Sequence, residues 1–169
     1  MKIIITGTPG TGKTVIAGKL GKKLEYKVIN EKDFALKTKS GKQTFSKSLI
    51  KKSSQANKEI EIDTKKFEKK INEFLKEKDN LVLEGHVLCE MKINVDKIFV
   101  LRTKREILEK RLKKKKYNEV KIQDNLFCEE IDYCSKKALK NYKKVTEIMN
   151  EKTLNSSIQK IIKKIKEKK

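Results

Sequence analysis

Residues 7–14 read Gly-Thr-Pro-Gly-Thr-Gly-Lys-Thr. The pattern G-x-x-x-x-G-K-[ST] wraps main-chain N–H groups around a polyphosphate. Gly7, Gly10 and Gly12 permit that close approach, and a helix opening near Lys13 adds unpaired amides and its positive dipole end. Lys13 is spaced to reach the β- and γ-phosphates, and Thr14 to offer its hydroxyl to Mg²⁺. The flanks match the motif. Ile3-Ile4-Ile5 reads as a strand before it, and Val15, Ile16, Leu20 and Leu24 read as a helix after it.

Other residues extend this chemistry. Glu84 ends the apolar strand Leu81-Val82-Leu83, where an acid holds Mg²⁺ directly or through water. A plain carboxylate at a strand end is the alternative. His86 is the only histidine, and Gly85 before it allows a sharp turn. It either orients a water, contacts the γ-phosphate or caps a carboxylate, or it is structural. Arg102, Arg105 and Arg111 are the only arginines and fall within ten residues. Arginine suits bidentate phosphate contacts, so at least one is expected on a nucleotide. Arg102 is expected to face the site from a strand end, and Arg111 to mark the start of a lid. Lys113–Lys116 reads equally as a phosphate cover or a solvated run, and Asp33 as a second-substrate contact or a loop carboxylate.

These side chains need a scaffold, and the pattern predicts the order β-α-β-(variable)-α-β-β-α-(basic segment)-α-β-α. Strands are expected at 2–6, 27–30, 81–84, 97–102 and 145–149. Residues 31–60 are polar and weakly periodic, and read as a mobile insertion with short helical pieces. Asp63-Thr64 caps a helix carrying Phe67, Ile71, Phe74 and Leu75. Thr103-x-x-Glu106 and Ser156-x-x-Gln159 read as capping boxes, and Asn118 caps a long helix to about Asn141. Ile158, Ile161, Ile162 and Ile165 form a core stripe. Alternating strands and helices imply a parallel sheet covered on both faces, with Thr6, Asn30, Glu84 and Arg102 along one ligand-binding rim.

Composition sets the bounds. The 169 residues fit one domain that buries roughly 70% of its unfolded surface. Lys and Arg number 44 against 23 Asp and Glu, a net charge of +21. Such a charge suits an anionic substrate, RNA or a partner embedded in RNA, and equally a solvated lysine-rich surface. No apolar stretch reaches membrane-spanning length. Met1-Lys2 runs straight into the first strand, so no signal peptide and a cytoplasmic location are expected. Cys89, Cys128 and Cys134, without C-x-x-C spacing, predict free thiols.

Four stretches together carry a family resemblance: the 7–14 loop, Glu84-Gly85-His86, Val100-Leu101-Arg102-Thr103, and Tyr117-Asn118-Glu119-x-Lys121-x-x-x-Asn125. They resemble the adenylate kinase isoenzyme 6 family from Lys2 to about the C-terminal helix, with 31–60 matching poorly. The resemblance implies a three-layer α/β/α P-loop NTPase fold in one domain, residues 1–169. It implies a nucleoside-monophosphate-binding region over 30–53 and a short lid over 114–124. Mg-ATP would sit at Gly10, Thr11, Gly12, Lys13, Thr14 and Val15, with Arg111, Lys115 and Lys152 nearby. Thr14 and Glu84 would serve Mg²⁺, and Lys13, Glu84, His86 and Arg102 the chemistry. AMP would be the second substrate, facing Asp33 and Lys37. The family's monophosphate-site arginine is absent after Asp33-Phe34-Ala35, where Leu36-Lys37 follow, and Lys115-Lys116 replace the lid's arginine and glycine.

The family's activities are ATP–AMP phosphoryl transfer and ATP hydrolysis, with a role in small-ribosomal-subunit maturation beside a basic ribosomal protein and rRNA. Glu129, Glu130 and Asp132 are candidates to meet such a protein. A monomer is expected. An ATP-driven assembly switch and a shikimate-type kinase are the competing readings. A GTPase is disfavoured, because Asn30-Glu31-Lys32-Asp33 does not fit N-K-x-D.

Overall fold

Ile3, Ile4 and Ile5 alternate between the faces of a central sheet, and each is fully buried. In the computed structural model, which describes residues 1–46 and 57–167, this strand is β1 (Lys2–Gly7). Helix α1 (Lys13–Leu24) and strand β2 (Lys27–Asn30) follow, then α2 (Glu31–Lys37) and the antiparallel pair β3 (Gly41–Ser46) and β4 (Asn57–Ile62). Next come α3 (Thr64–Leu75), β5 (Leu81–Glu84), a single 3₁₀ turn (Val87–Glu90) and β6 (Lys97–Arg102). The chain continues through α4 (Arg105–Lys114), α5 (Glu119–Glu130), α6 (Tyr133–Asn141), β7 (Val145–Met149) and α7 (Leu154–Lys166).

The main sheet is parallel, in the order β2-β5-β1-β6-β7. Its register pairs Ile5 and Asn30 with Glu84, and Gly7 with Leu101, so the strand ends do form one rim. Both faces are covered. Ile3, Ile5, Val82, Phe99 and Leu101 pack under α1 and α7. Ile4, Leu81, Leu83, Ile98 and Val100 pack under α3, the 3₁₀ turn and α6. Each such buried side chain contributes roughly 1.5–3 kcal/mol. The result is the three-layer α/β/α P-loop fold expected.

Three expectations need correction. Where it is described, the 31–60 stretch holds one short helical piece as expected, but also a strand pair that was not. Glu31–Lys37 is helical because the Asn30 side chain accepts from the Lys32 and Asp33 amides. Phe34 then meets Phe67 and Phe74 edge-on, at 5.3 and 5.5 Å, and pins α2 to α3. Beyond it β3 and β4 pair in register from Gly41–Ile62 to Ser46–Asn57. Part of the expected monophosphate region, residues 47–53, lies outside the described residues.

The long helix expected over 118–141 is two. Asp132, at φ 58°, breaks it, and Arg102 donates to the Glu129 carbonyl left at the end of α5. Asn118 does cap α5, accepting from the Lys121 amide. Both predicted capping boxes shift. Lys104 precedes α4 with no side-chain cap, because the Thr103 hydroxyl donates to Asn150 O instead. Thr153 caps α7 three residues ahead of Ser156. Residues 114–124, where a lid was expected, cover the end of α4, the turn and the first half of α5, and their Tyr117 and Ile122 pack with Leu108, Leu112 and Leu126. No described helix is long and apolar enough to cross a membrane.

Candidate active site

The loop between β1 and α1 sits at the centre of the rim. Gly12 precedes α1 at φ 101°, and a Cβ there would lie 2.6 Å from the Asn150 amide nitrogen. That amide donates to Thr11 O at 2.8 Å, while Ser157 Oγ donates to Asn150 Oδ1. Asn150 therefore clamps the loop from the end of β7. Sequence reading passed over it, and its place one residue beyond a strand is the only signal.

Lys13 is 9% exposed. Its Nζ donates to Gly7 O at 2.8 Å and Thr8 O at 3.1 Å, so it lies within the loop it serves. Burial lowers its pKa, against the raising influence of the Glu31, Cys134 and Glu84 charges. Thr14 Oγ1 stands 3.2 and 3.3 Å from the two Glu84 carboxylate oxygens. The Asn30 side chain also donates to Glu84. Hard oxygen donors converging in this way fit Mg²⁺, which keeps several waters and takes phosphate oxygens. Among the described residues there is no group of three or more His, Cys, Asp or Glu that could hold a metal ion.

Glu31 is the main residue that sequence reading missed. Its carboxylate is buried and accepts from the His86 amide at 2.7 Å and the Val87 amide at 3.0 Å. An added Cβ on Gly85 would fall 2.0 Å from Glu31 Oε2, so only glycine fits between Glu84 and His86. In sequence an acid at the start of a helix reads as ordinary dipole pairing, which hid this role. Burial raises the Glu31 pKa, partly opposed by the amide bonds and Lys13. The folded pKa lies above the unfolded one, so the protonated form favours folding. That advantage is complete below the unfolded value and is lost as pH rises through the folded value. Urea titrations of Glu31→Gln and parent are therefore expected to show the parent losing stability relative to the variant as pH rises above the unfolded carboxyl range. Parallel profiles would mean that the Glu31 carboxyl titrates in the folded protein as it does in the unfolded chain.

His86 Nδ1 lies 3.1 Å from Gly7 O, so the ring donates from that nitrogen into the loop. Cys134 Sγ lies 3.8 Å away. Burial alone would lower the His86 pKa, but the hydrogen bond and charge of Cys134 outweigh it and the net shift is upward. None of the three cysteines is in a disulfide.

The arginines do not gather on the nucleotide site. Arg102 faces three carboxylates instead of the rim: Glu129 at 2.7 Å, Asp132 at 2.6 Å and Glu147 at 3.5 Å. Its Nε and Nη2 are hydrogen-bonded to Glu129, so this structure places Arg102 as a counter-ion outside the cavity lining, where a catalytic arginine was expected. Glu129 also accepts from Thr8 and from the Thr103 amide, so this cluster buttresses the loop from behind. Arg105 pairs with Glu130. Of the three acids named above, Glu129 is buried in this cluster, whereas Asp132 and Glu130 keep exposed side chains paired with Arg102 and Arg105. Arg111 holds Asn150 O at 3.0 Å and Thr11 O at 3.5 Å, beside the loop.

A cavity of about 520 Å³ opens over the loop. Gly10, Gly12, Lys13, Thr14 and Val15 form its floor, Glu84 and His86 one wall, and Lys115, Tyr117 and Lys121 its cover. Glu31 and Val87 continue the Glu84–His86 wall, and Lys32, Ile60 and Ile62 complete the lining. Asp33, Lys37, Arg102, Arg111 and Lys152 are not among the lining residues, and Lys152 is exposed in the turn before α7. Lys32, one residue from the Glu31 carboxylate, lines the cavity where Lys37 does not.

A family model described as "AAA domain" matches residues 3–132. A protein of Pyrococcus abyssi named "Putative adenylate kinase" is 34% identical over 98% of this chain and 82% of its own length. One of the same name from Methanocaldococcus jannaschii is 36% identical over 79% of this chain and 70% of its own. The chain belongs to this adenylate-kinase-like family. Membership of the family makes it a P-loop nucleotide kinase. Solved structures agree on the fold. A shikimate kinase from Acinetobacter baumannii superposes with TM-score 0.61 at 18% identity, covering 99% of this chain and 95% of that one. A deoxyadenosine kinase from M. mycoides gives 0.60 at 17% identity, with 98% of each covered.

Proposed function

We propose that this family member is an adenylate kinase of the isoenzyme 6 type, transferring the γ-phosphoryl group of Mg-ATP to AMP and hydrolysing ATP when AMP is absent. The observation that carries the reading is the lining of the cavity: the phosphate-loop residues Gly10, Gly12, Lys13 and Thr14 share one space with Lys32, Ile60 and Ile62, which lie outside that loop and offer a surface for a second nucleotide. Two nucleotides placed end to end there would meet near Lys13 and His86. Positioning and electrostatic stabilisation do most of the work in phosphoryl transfer.

Each residue has a part in that scheme. Lys13 exchanges the Gly7 and Thr8 carbonyls for β- and γ-phosphate oxygens. Thr14 and Glu84 hold Mg²⁺, which when bound screens the charge on the two terminal phosphates. His86, fixed by the Glu31 clamp on its amide, stands where an attacking oxygen must pass. Closure of Tyr117 and Lys115 over the cavity excludes water and favours AMP over hydrolysis. Lys32 replaces a bidentate arginine with a point charge, so AMP is held more loosely than a guanidinium would hold it.

ADP formation from ATP with and without AMP tests the reading. AMP is expected to raise ADP output well above hydrolysis alone, whereas shikimate and deoxynucleosides are not. Equal output with and without AMP would leave only an ATPase. Glu84→Gln keeps the side-chain shape and removes its charge. It is expected to raise the Mg²⁺ concentration needed for half-maximal turnover by about 10- to 100-fold. An unchanged Mg²⁺ titration would take Glu84 out of the metal site.

A further inference from the structure

Helices α1 and α7 together cover one face of the sheet, and neither contains an aspartate or glutamate from Lys13 to Leu24 or from Leu154 to Lys166. Their outward side is lysine. Lys19, Lys22 and Lys23 on α1 and Lys160, Lys163, Lys164 and Lys166 on α7 are all exposed. Glu25 stands past the end of α1, and Glu167, past the end of α7, pairs with Lys164. The opposite face differs: α3 interleaves Lys65, Lys66, Lys69 and Lys70 with Glu68 and Glu73, and Arg105 reaches across to Glu130. Lys19 stands three and four residues from Lys22 and Lys23, and Lys160 stands likewise from Lys163 and Lys164. Like charges at that spacing destabilise a helix, and a carboxylate at any of these positions would relieve them. The face retains this repulsion over two adjoining helices.

We propose that the α1–α7 face binds the phosphodiester backbone of a nucleic acid, away from the nucleotide cavity. Charge complementarity selects this occupant. Ile16, Leu20, Ile158, Ile161 and Ile162 are buried against the sheet, Leu24, Leu154 and Ile165 are partly buried beside them, and the exposed Val15 lines the nucleotide cavity, so the face lacks the broad exposed apolar side with which interfacial helices enter a lipid surface. The face has lysines and no arginines, so it offers point charges rather than the bidentate geometry that reads base edges. Binding of this kind is independent of sequence and steeply salt-dependent.

The test compares two fourfold variants of equal net charge. One carries Lys19→Gln, Lys22→Gln, Lys160→Gln and Lys163→Gln. The other carries Lys65→Gln, Lys66→Gln, Lys69→Gln and Lys70→Gln on α3. A mixed-sequence RNA duplex is titrated at several salt concentrations, with ATP turnover measured in parallel. The α1–α7 variant is expected to bind at least about tenfold more weakly at 0.1 M salt, with a salt slope shallower by about 3 to 4. The α3 variant is expected to stay within about threefold of the parent, and both variants to keep parental ATP turnover. Equal weakening in the two variants would mean that only overall charge matters and would overturn the assignment. So would tighter binding of the α1–α7 face to vesicles of anionic lipid than to the duplex.

Discussion

Replacing Lys13 with methionine is expected to lower ATP turnover by about 10²- to 10³-fold, or about 3–4 kcal/mol, while leaving the fold intact. The ammonium is buried in the loop and hydrogen-bonded to two of its carbonyls, so it is already inside the space that phosphates enter. Methionine nearly matches its length and needs no hydrogen bond, so packing against the loop survives. The carbonyls of Gly7 and Thr8 lose a donor, but the loop stays tied by Asn150 to Thr11 O and by Thr11 to Thr8 O. Thermal unfolding and calorimetric ATP titration on one preparation separate the effects. A parental melting temperature with ATP affinity lost is the expected pair. Undiminished ATP binding would take Lys13 off the phosphates.

Arg102→Ala is expected to act in the opposite way, on stability more than on turnover. Its guanidinium is the counter-ion of Glu129, whose side chain is only 6% exposed. Removing one partner of a buried pair leaves an uncompensated charge and costs about 3–5 kcal/mol. In a chain of this size that corresponds to a fall in melting temperature of roughly 6–20 °C. Adding Glu129→Gln to Arg102→Ala is expected to recover part of the loss, because the orphaned charge is gone. At temperatures where both proteins are folded, turnover is expected within about tenfold of the parent. An arginine on the transferred phosphoryl group would instead be worth about 10³-fold or more. A stable Arg102→Ala protein with turnover lost on that scale would return Arg102 to the catalytic residues.

The contrast shows where the sequence was legible. The loop at 7–14 is a local device whose residues act through their own backbone, so spacing was enough to read it. Strand β5 ends at Glu84 because an apolar run stops there, which is also local. Asn118 and Asp63 cap the next helix through amides three residues away. Arg102 was misread because its three carboxylates come from α5, from the bend after it and from β7, which no spacing rule connects. Glu31 was missed for the same reason: its partners are the amides of residues 86 and 87, brought beside it by the parallel pairing of β2 with β5. The β3–β4 pair was invisible because Gly41–Ser46 is largely polar, and its partner strand supplies the order that its own alternation does not. Asn150 looked like a loop residue, and only the fold shows that it closes the loop from the other end of the chain.

The central claim is that a single cavity receives two nucleotides end to end. Calorimetric titration with P¹,P⁵-di(adenosine) pentaphosphate in the presence of Mg²⁺ tests it most directly. One molecule per chain, bound at least about 100-fold more tightly than ATP, is the expected result, because joining the two halves makes the second contact intramolecular. Affinity no better than that of ATP would mean that the part of the cavity lined by Lys32, Ile60 and Ile62 does not take AMP.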